Sequence, residues 1–290
     1  MTTSWLVCNA LIEKRAKGQT KAFASFLPPS QQKKLLSLPA PHEDLSIGFQ
    51  QEDLLHRIHV SWFAKWLRSL PKQKATLFLP LFSQEQCTQL QEILLFHELI
   101  PTLSHQAKLF LQQELLGELL KGIPDLLPTQ ALPSSDLLCL LSLSAKELQI
   151  LVDFLGLRDL AVELTQIIDK TRLQQIHSLL SQEQRLFLHS LVQKKEPLMF
   201  KKMDLAKGSL HKESLLSELH KRGMNRLAKA LYPAHEHLVW YVTHQMPENE
   251  AVLLVSLRKP LDNPKAYTIL TKQVMELVQY LPKSSTRAAP

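Results

Sequence analysis

Ser61-Trp62-Phe63-Ala64-Lys65-Trp66-Leu67-Arg68-Ser69-Leu70-Pro71 decides how the rest of the chain is read. Trp62, Phe63, Trp66, Leu67 and Leu70 fall at i, i+1, i+4, i+5 and i+8, the spacing of one helix face, with Ser61, Lys65, Arg68 and Ser69 mostly between them. Pro71 closes the stretch, because its ring blocks helix continuation and it has no N–H to donate. The same grammar extends in both directions. Ser30 to Leu38 predicts a short helix stopped by Pro39 and Pro41, and 39–50, with its prolines, glycine and Asp/Ser, predicts a linker. Toward the C-terminus, Gln73 to Leu79 predicts a helix ended by Pro80. Ser83 with Gln86 three residues on is a capping-box start for a helix running toward Glu98. A further helix runs from about Ser104 to Lys121, stopped by Gly122 and Pro124.

The segment 122–135, with Pro124, Pro128, Pro133 and two serines, is the best boundary between domains. Beyond it come short helices: Asp136 to Leu141, one from the Ser144/Glu147 capping box to Gly156, one from Arg158 to Asp169, and starts near Thr171 and Ser181. After Pro197 the pattern gives Ser209 to Leu219, Arg222 to Leu231 and His235 to Gln245, then Glu250 to Leu257 as helix or strand, and a last helix over 264–281. The expected organisation is an N-terminal helical segment and linker (1–50), a first helical domain (51–122), a second helical array (136–281) and a disordered tail (282–290).

Composition agrees with helix. The 290 residues include 61 Leu but only 22 Val plus Ile, and Leu keeps rotamer freedom in a helix where β-branched side chains lose it. Only 7 residues are Gly, which argues against phosphate-cradling loops and hairpin-rich folds. The expected fold class is all-α: short helices stacked in pairs, in two or three subdomains. The Ser-Gln/Glu helix starts at Ser30, Ser83, Ser144 and Ser181 hint at degenerate repeats, but ordinary capping explains them as well.

Three scattered cysteines, Cys8, Cys87 and Cys139, suggest neither a disulfide framework nor a zinc site. The N-terminus lacks a signal-peptide pattern, and no apolar run is long enough to span a membrane, so a reducing cytoplasm is expected. The net charge of +7 is unevenly placed. Residues 1–82 hold 11 Lys/Arg against 5 Asp/Glu, 83–190 hold 7 against 13, and 191–290 hold 16 against 9. This basic–acidic–basic order would let 83–190 of one copy meet 194–229 of the next, making a homo-oligomer an expected state.

The stretch from His59 to Leu81 resembles the middle domain of the flagellar rotor switch protein family, FliG. That family shows a His, an apolar-Ala pair and then spaced Leu, Leu, Ala and Leu; here these are His59, Phe63-Ala64, Leu67, Leu70, Ala75 and Leu79. Val60-Ser61 stand where the family has Pro-Gln. Leu219 to Leu231, followed by Leu238 to Tyr241, is similar to the family's more distal helical repeats. The resemblance implies an armadillo-like right-handed superhelix, with Phe63, Ala64, Leu67, Leu70, Ala75 and Leu79 as a repeat core. It also implies a cytosolic, non-enzymatic adaptor at the base of a flagellum or a related type III secretion apparatus, peripheral to the inner membrane. The family's row of torque-generating charges is not found in the last third, which points toward the secretion machine. The partners implied are other proteins of that basal assembly.

No nucleophile elbow, phosphate loop, zincin or EF-hand pattern is present. No enzyme activity, cofactor or metal is therefore expected. The nearest metal candidate is His235-Glu236-His237 with His244, whose spacing suits a helix start better than a ligand set. The basic stretch 194–229 offers Lys221, Arg222, Arg226 and Lys229 as partner-binding residues. A plainly solvated face is the first reading of this stretch; its targets otherwise are an acidic protein patch or, as the alternative function, RNA or an anionic lipid surface. Phe200 is the only aromatic residue there, which disfavours nucleic acid. Trp62 and Trp66 share a face and serve either as core or as anchors in a partner groove. The pair Asp153/Asp159 carries no assignment from the sequence.

Overall fold

The computed structural model describes residues 20–36, 51–95, 99–123, 126–192, 196–198, 200, 203 and 211–281. The expected linker at 39–50 and tail at 282–290 lie outside them. The fold is all-α, with fourteen α-helices and no strand among the described residues. The chain divides into two units, Met1–Ser134 and Ser135–Pro290, and the division falls inside the proline-rich 122–135 segment.

The first unit holds α1 (Thr20–Ala24), α2 (Pro29–Leu36), α3 (Gln51–Arg57), α4 (Ser61–Ser69), α5 (Lys72–Phe78), α6 (Gln84–Leu94) and α7 (His105–Leu119). Its core is the inward face of α4 packed on α5 and α6. Phe63, Ala64, Leu67, Ala75 and Leu79 are buried, and Leu70 is partly exposed. Trp66 meets Phe78 edge-on at 4.9 Å. His59 starts α4 by accepting the Ser61 N–H at Nδ1, 3.2 Å away, and burial lowers its pKa. The Ser83/Gln86 capping box forms, and Gln86 does more than cap. Its Nε2 donates to the Leu55 and Ile58 carbonyls at 3.1 and 3.0 Å, tying the start of α6 to the end of α3.

Helix α6 stops at Leu94, short of the expected Glu98, because Leu95 turns left-handed at φ 56°. A leucine there suffers a Cβ–carbonyl clash that glycine avoids, and Leu95 is 75% exposed, so its side chain offsets little of the cost. Leu95→Gly is expected to raise stability by about 1 kcal/mol, read by urea unfolding.

The second unit begins with a 3-10 segment, Asp136–Ser142, where a short α-helix is expected from sequence. Then come α8 (Ala145–Leu164), α9 (Lys170–Leu179), α10 (Gln182–Val192), α11 (Lys212–Ala230), α12 (Glu236–His244), α13 (Glu248–Leu257) and α14 (Lys265–Tyr280). The Ser144/Glu147 capping box starts α8. The ambiguous 250–257 run is helical. Two expected breaks are absent. Helix α8 runs straight through Gly156, and α11 runs unbroken through 220–221, between the two expected helices, so four short helices expected from sequence are two long ones.

The reason is the packing of α8 on α11, the most extensive helix contact of the unit. A Cβ on Gly156 would overlap the Leu219 carbonyl, lying 2.7 Å from its carbon. A Cβ on Gly223 would overlap the Val152 carbonyl and stand 3.1 Å from the Gly156 nitrogen. The two glycines let the backbones touch, so Gly156, expected from sequence to end a helix, serves close approach instead, and Gly223 does the same from the other side. Helix α11 packs further on α13 and α14, while α10 and α14 pack on α8. Leu148, Leu151, Val152, Leu155, Leu157 and Leu160 of α8 are all fully buried. The unit is thus organised around two long helices distant in sequence.

Candidate functional site: a buried charge cluster in the second unit

The face of α11 that follows Gly223 places Arg226 against α8 and α14. Its side chain is 0% exposed, which for a permanent cation requires complete pairing. The guanidinium has it. Nε and Nη2 donate to Asp159 Oδ1 on α8 at 3.1 and 2.5 Å. Nη1 donates to Gln273 Oε1 on α14 at 2.8 Å and to Glu196 Oε1 at 3.2 Å. Nη2 also reaches the Leu198 carbonyl at 3.3 Å, and the Phe200 ring lies 5.0 Å from the guanidinium carbon. A planar fork of five donors suits this geometry as an ammonium could not.

A rim of charge surrounds it. Arg222, one turn earlier, stands 3.6 Å from Asp159 Oδ2 and donates to Glu218 at 2.9 Å. Arg158 lies 3.6 Å from Glu196 and donates to Glu276 at 3.0 Å. Gln273 Nε2 donates to Glu196 at 2.7 Å, and Glu163 accepts the Met203 N–H at 2.7 Å. The cluster therefore ties α8, α11 and α14 to Glu196, Leu198, Phe200 and Met203, between α10 and α11. Arg158 Nε and Asp159 Oδ2 are buried without hydrogen bonds; the Arg222 guanidinium, 3.6 Å from Asp159 Oδ2, meets that oxygen by charge.

This arrangement corrects the surface reading of Arg226. It is an interior cation, because Asp159 on a neighbouring helix neutralises it inside the fold. Arg222 is likewise mostly buried and paired within the chain. Lys221 is exposed. Lys229 donates to the Lys259 carbonyl at 3.0 Å, and burial together with the Lys259 charge lowers its pKa. Lys194, Lys195, Lys201, Lys202 and Lys207 lie outside the described residues. Part of the acidic–basic complementarity seen in composition is thus used between α8 and α11 of one chain. Asp159, unassigned from sequence, is its central anion; Arg226 lies 67 residues from it. Trp62 and Trp66 are both partly buried, Trp66 against Phe78.

The histidines nearest to a ligand set, His235, His237 and His244, separate by role. His235 Nδ1 accepts the His237 N–H at 3.2 Å as the cap of α12. His244 is buried, stacked on Trp240 at 3.9 Å, with Nδ1–H donating to the Trp240 carbonyl at 2.8 Å. Among the described residues no group of three or more His, Cys, Asp or Glu is placed to hold a metal ion. Burial lowers the His244 pKa to about 4. A depressed value means that folding favours the neutral ring. The stabilisation is therefore present above the unfolded value of 6.5 and is lost as pH falls toward 4. Unfolding free energy is expected to fall by up to about 1.4 kcal/mol per pH unit across that window, and His244→Phe to flatten the slope, read by denaturant titrations between pH 4 and 7.

Arg258 closes the α11–α12 turn. It donates to the Leu231, Tyr232 and Ala234 carbonyls at 3.1, 3.1 and 3.2 Å and pairs with Glu236 at 2.8 Å. The guanidinium holds the Glu236 carboxyl below its usual range. Outside this clamp α13 shows Val252 and Val255, one turn apart, at 63% and 57% exposure. None of the described helices is long and apolar enough to cross a membrane. Comparisons with family models, with curated proteins and with solved structures found no match.

Proposed function

We propose that the chain is a non-enzymatic helical scaffold that works by protein–protein contact, as an adaptor at the cytosolic base of a flagellum-related type III secretion apparatus. The observation that carries the scaffold reading is the outward face of α13, where Val252 and Val255 are solvent-exposed on a helix anchored to α11 and α12. Apolar side chains one turn apart on the outer face of a packed helix suit a partner's surface. The placement in a secretion machine rests on the resemblance at His59–Leu81 alone. The alternative, RNA or anionic lipid on 194–229, is less well supported, since Arg226 is interior and Arg222 is paired.

The test is fractionation of the tagged full chain from its own cells under gentle extraction. Co-migration with the basal assembly, lost in a Val252→Asp/Val255→Asp variant that keeps wild-type circular dichroism, is the expected result. A chain that migrates alone would overturn the proposal, as would one whose co-migration survives both substitutions. Binding to RNA or anionic vesicles that falls with salt and with Lys221→Glu would support the alternative.

A further inference from the structure

Six residues before Arg226, α11 carries a second ionic group at a junction of three helices. His220 Nδ1 lies 2.7 Å from Asp153 Oδ1 on α8. Its Nε2 lies 3.8 Å from Glu250 Oε2 on α13 and is buried without a hydrogen bond. Helix α14 also packs on α11, but no charged group of its described residues contacts this ring. The ring therefore faces one carboxylate at each nitrogen.

The two contacts are not equally fixed. Asp153 is three residues from Gly156, and His220 is three from Gly223, so the backbone contact of α8 and α11 sets the first distance. Glu250 arrives from the third side, on a helix packed more lightly against α11. An imidazolium has a donor for each carboxylate. A neutral ring has only one. With that proton kept on Nδ1 for Asp153, the Nε2 lone pair faces the Glu250 carboxylate, and two half-buried anions lose the cation between them.

We propose that His220 is a proton-operated pin, holding α13 to the α8–α11 pair when charged and releasing it when neutral. The hydrogen bond to Asp153, opposed by burial and aided by the charges of Asp153 and Glu250, raises the His220 pKa above 6.5. Burial, together with the Asp153 charge and against the His220 charge, holds the Glu250 carboxyl above its ordinary value. Both shifts act with the same sign. The raised histidine gives stabilisation that is full below 6.5 and lost as pH rises through its folded pKa. The raised carboxyl makes ionised Glu250 less favourable in the fold, a cost that enters as pH rises from 4.5 through its folded pKa, so the change above 6.5 is carried by His220. Helix α13 is therefore held in mild acid and loosened on the alkaline side of 6.5. The helix so controlled is the one that carries Val252 and Val255.

The test uses the full chain. The His220 ring is titrated by NMR, and amide exchange of α13 is followed from pH 6 to 8.5, corrected for intrinsic rates, with α9 as internal reference. The expected result is a His220 midpoint above 6.5 and loss of α13 protection across that midpoint, with α9 unchanged. The step shrinks in Glu250→Gln, where Asp153 alone holds the ring, and disappears in His220→Gln. A midpoint at or below 6.5 overturns the proposal, as does α13 protection that stays constant in the wild type, or a step that persists in His220→Gln. The wild-type measurements decide the matter even if His220→Gln fails to fold.

Discussion

Gly223→Ala is expected to lower the stability of the chain by about 3 kcal/mol or more, although alanine is intrinsically the better helix former by about 1 kcal/mol. The added methyl would overlap the Val152 carbonyl and press on the Gly156 nitrogen. Both are backbone of a neighbouring helix, so no side chain can rotate away. Relief requires α8 and α11 to separate, which also opens the apolar contacts beside the crossing. Gly156→Ala meets the Leu219 carbonyl and is expected to cost a similar amount. Gly117 supplies the control. It lies exposed in α7 with nothing within 4 Å of an added Cβ, so Gly117→Ala is expected to stabilise by about 0.5–1 kcal/mol. Urea unfolding of the three variants reads the signs directly. A neutral Gly223→Ala would mean that the two helices do not touch at backbone distance.

The second large effect is expected at Arg226. Arg226→Met removes the cation but leaves Asp159 and Glu196 buried, each with a side chain under 10% exposed. The expected loss is about 3 kcal/mol, at the low end for a broken buried pair, because Arg222 and Arg158 each remain 3.6 Å from one of these carboxylates. Arg226→Lys is expected to recover little, because one ammonium cannot satisfy Asp159, Glu196, Gln273 and the Leu198 carbonyl together. Adding Asp159→Leu to Arg226→Met should cost less than the two single losses together, with a coupling of about 2 kcal/mol by double-mutant cycle. An Arg226→Met variant within about 0.5 kcal/mol of wild type would show that the cation is not paired as described.

These two sites also show where sequence reading stops. Helix starts are written locally. Ser83 with Gln86 and Ser144 with Glu147 form their capping boxes because donor and acceptor lie within one turn. The face of α4 is equally local, and its spacing carries Phe63, Ala64 and Leu67 inward. Gly156 and Gly223 differ. Gly156, after a Leu-rich run, has the same local look whether it ends a helix or admits another backbone, and Gly223 looks like any residue of its helix; only the partner, more than sixty residues away in the chain, decides. Arg226 fails in the same manner. Counted with Lys221 and Arg222 it belongs to a basic stretch, while Asp159, which takes its charge inside, belongs to the acidic block. Composition registers both charges and is blind to their pairing. His220 with Asp153 was missed for the same reason. The i, i+3 spacing from His220 to Gly223 and from Asp153 to Gly156 has meaning only once the glycines are known to face each other.

The reliance of α8 on α11 also sets an order of events during synthesis. Helix α8 ends at Leu164, and α11 is complete only at Ala230. At about 5–20 residues per second, the ribosome leaves α8 without its partner for several seconds. Through that interval Leu151, Leu155 and Leu160 lack the surface that later covers them. Slowing translation between 165 and 230 would lengthen the exposure of that leucine-rich face.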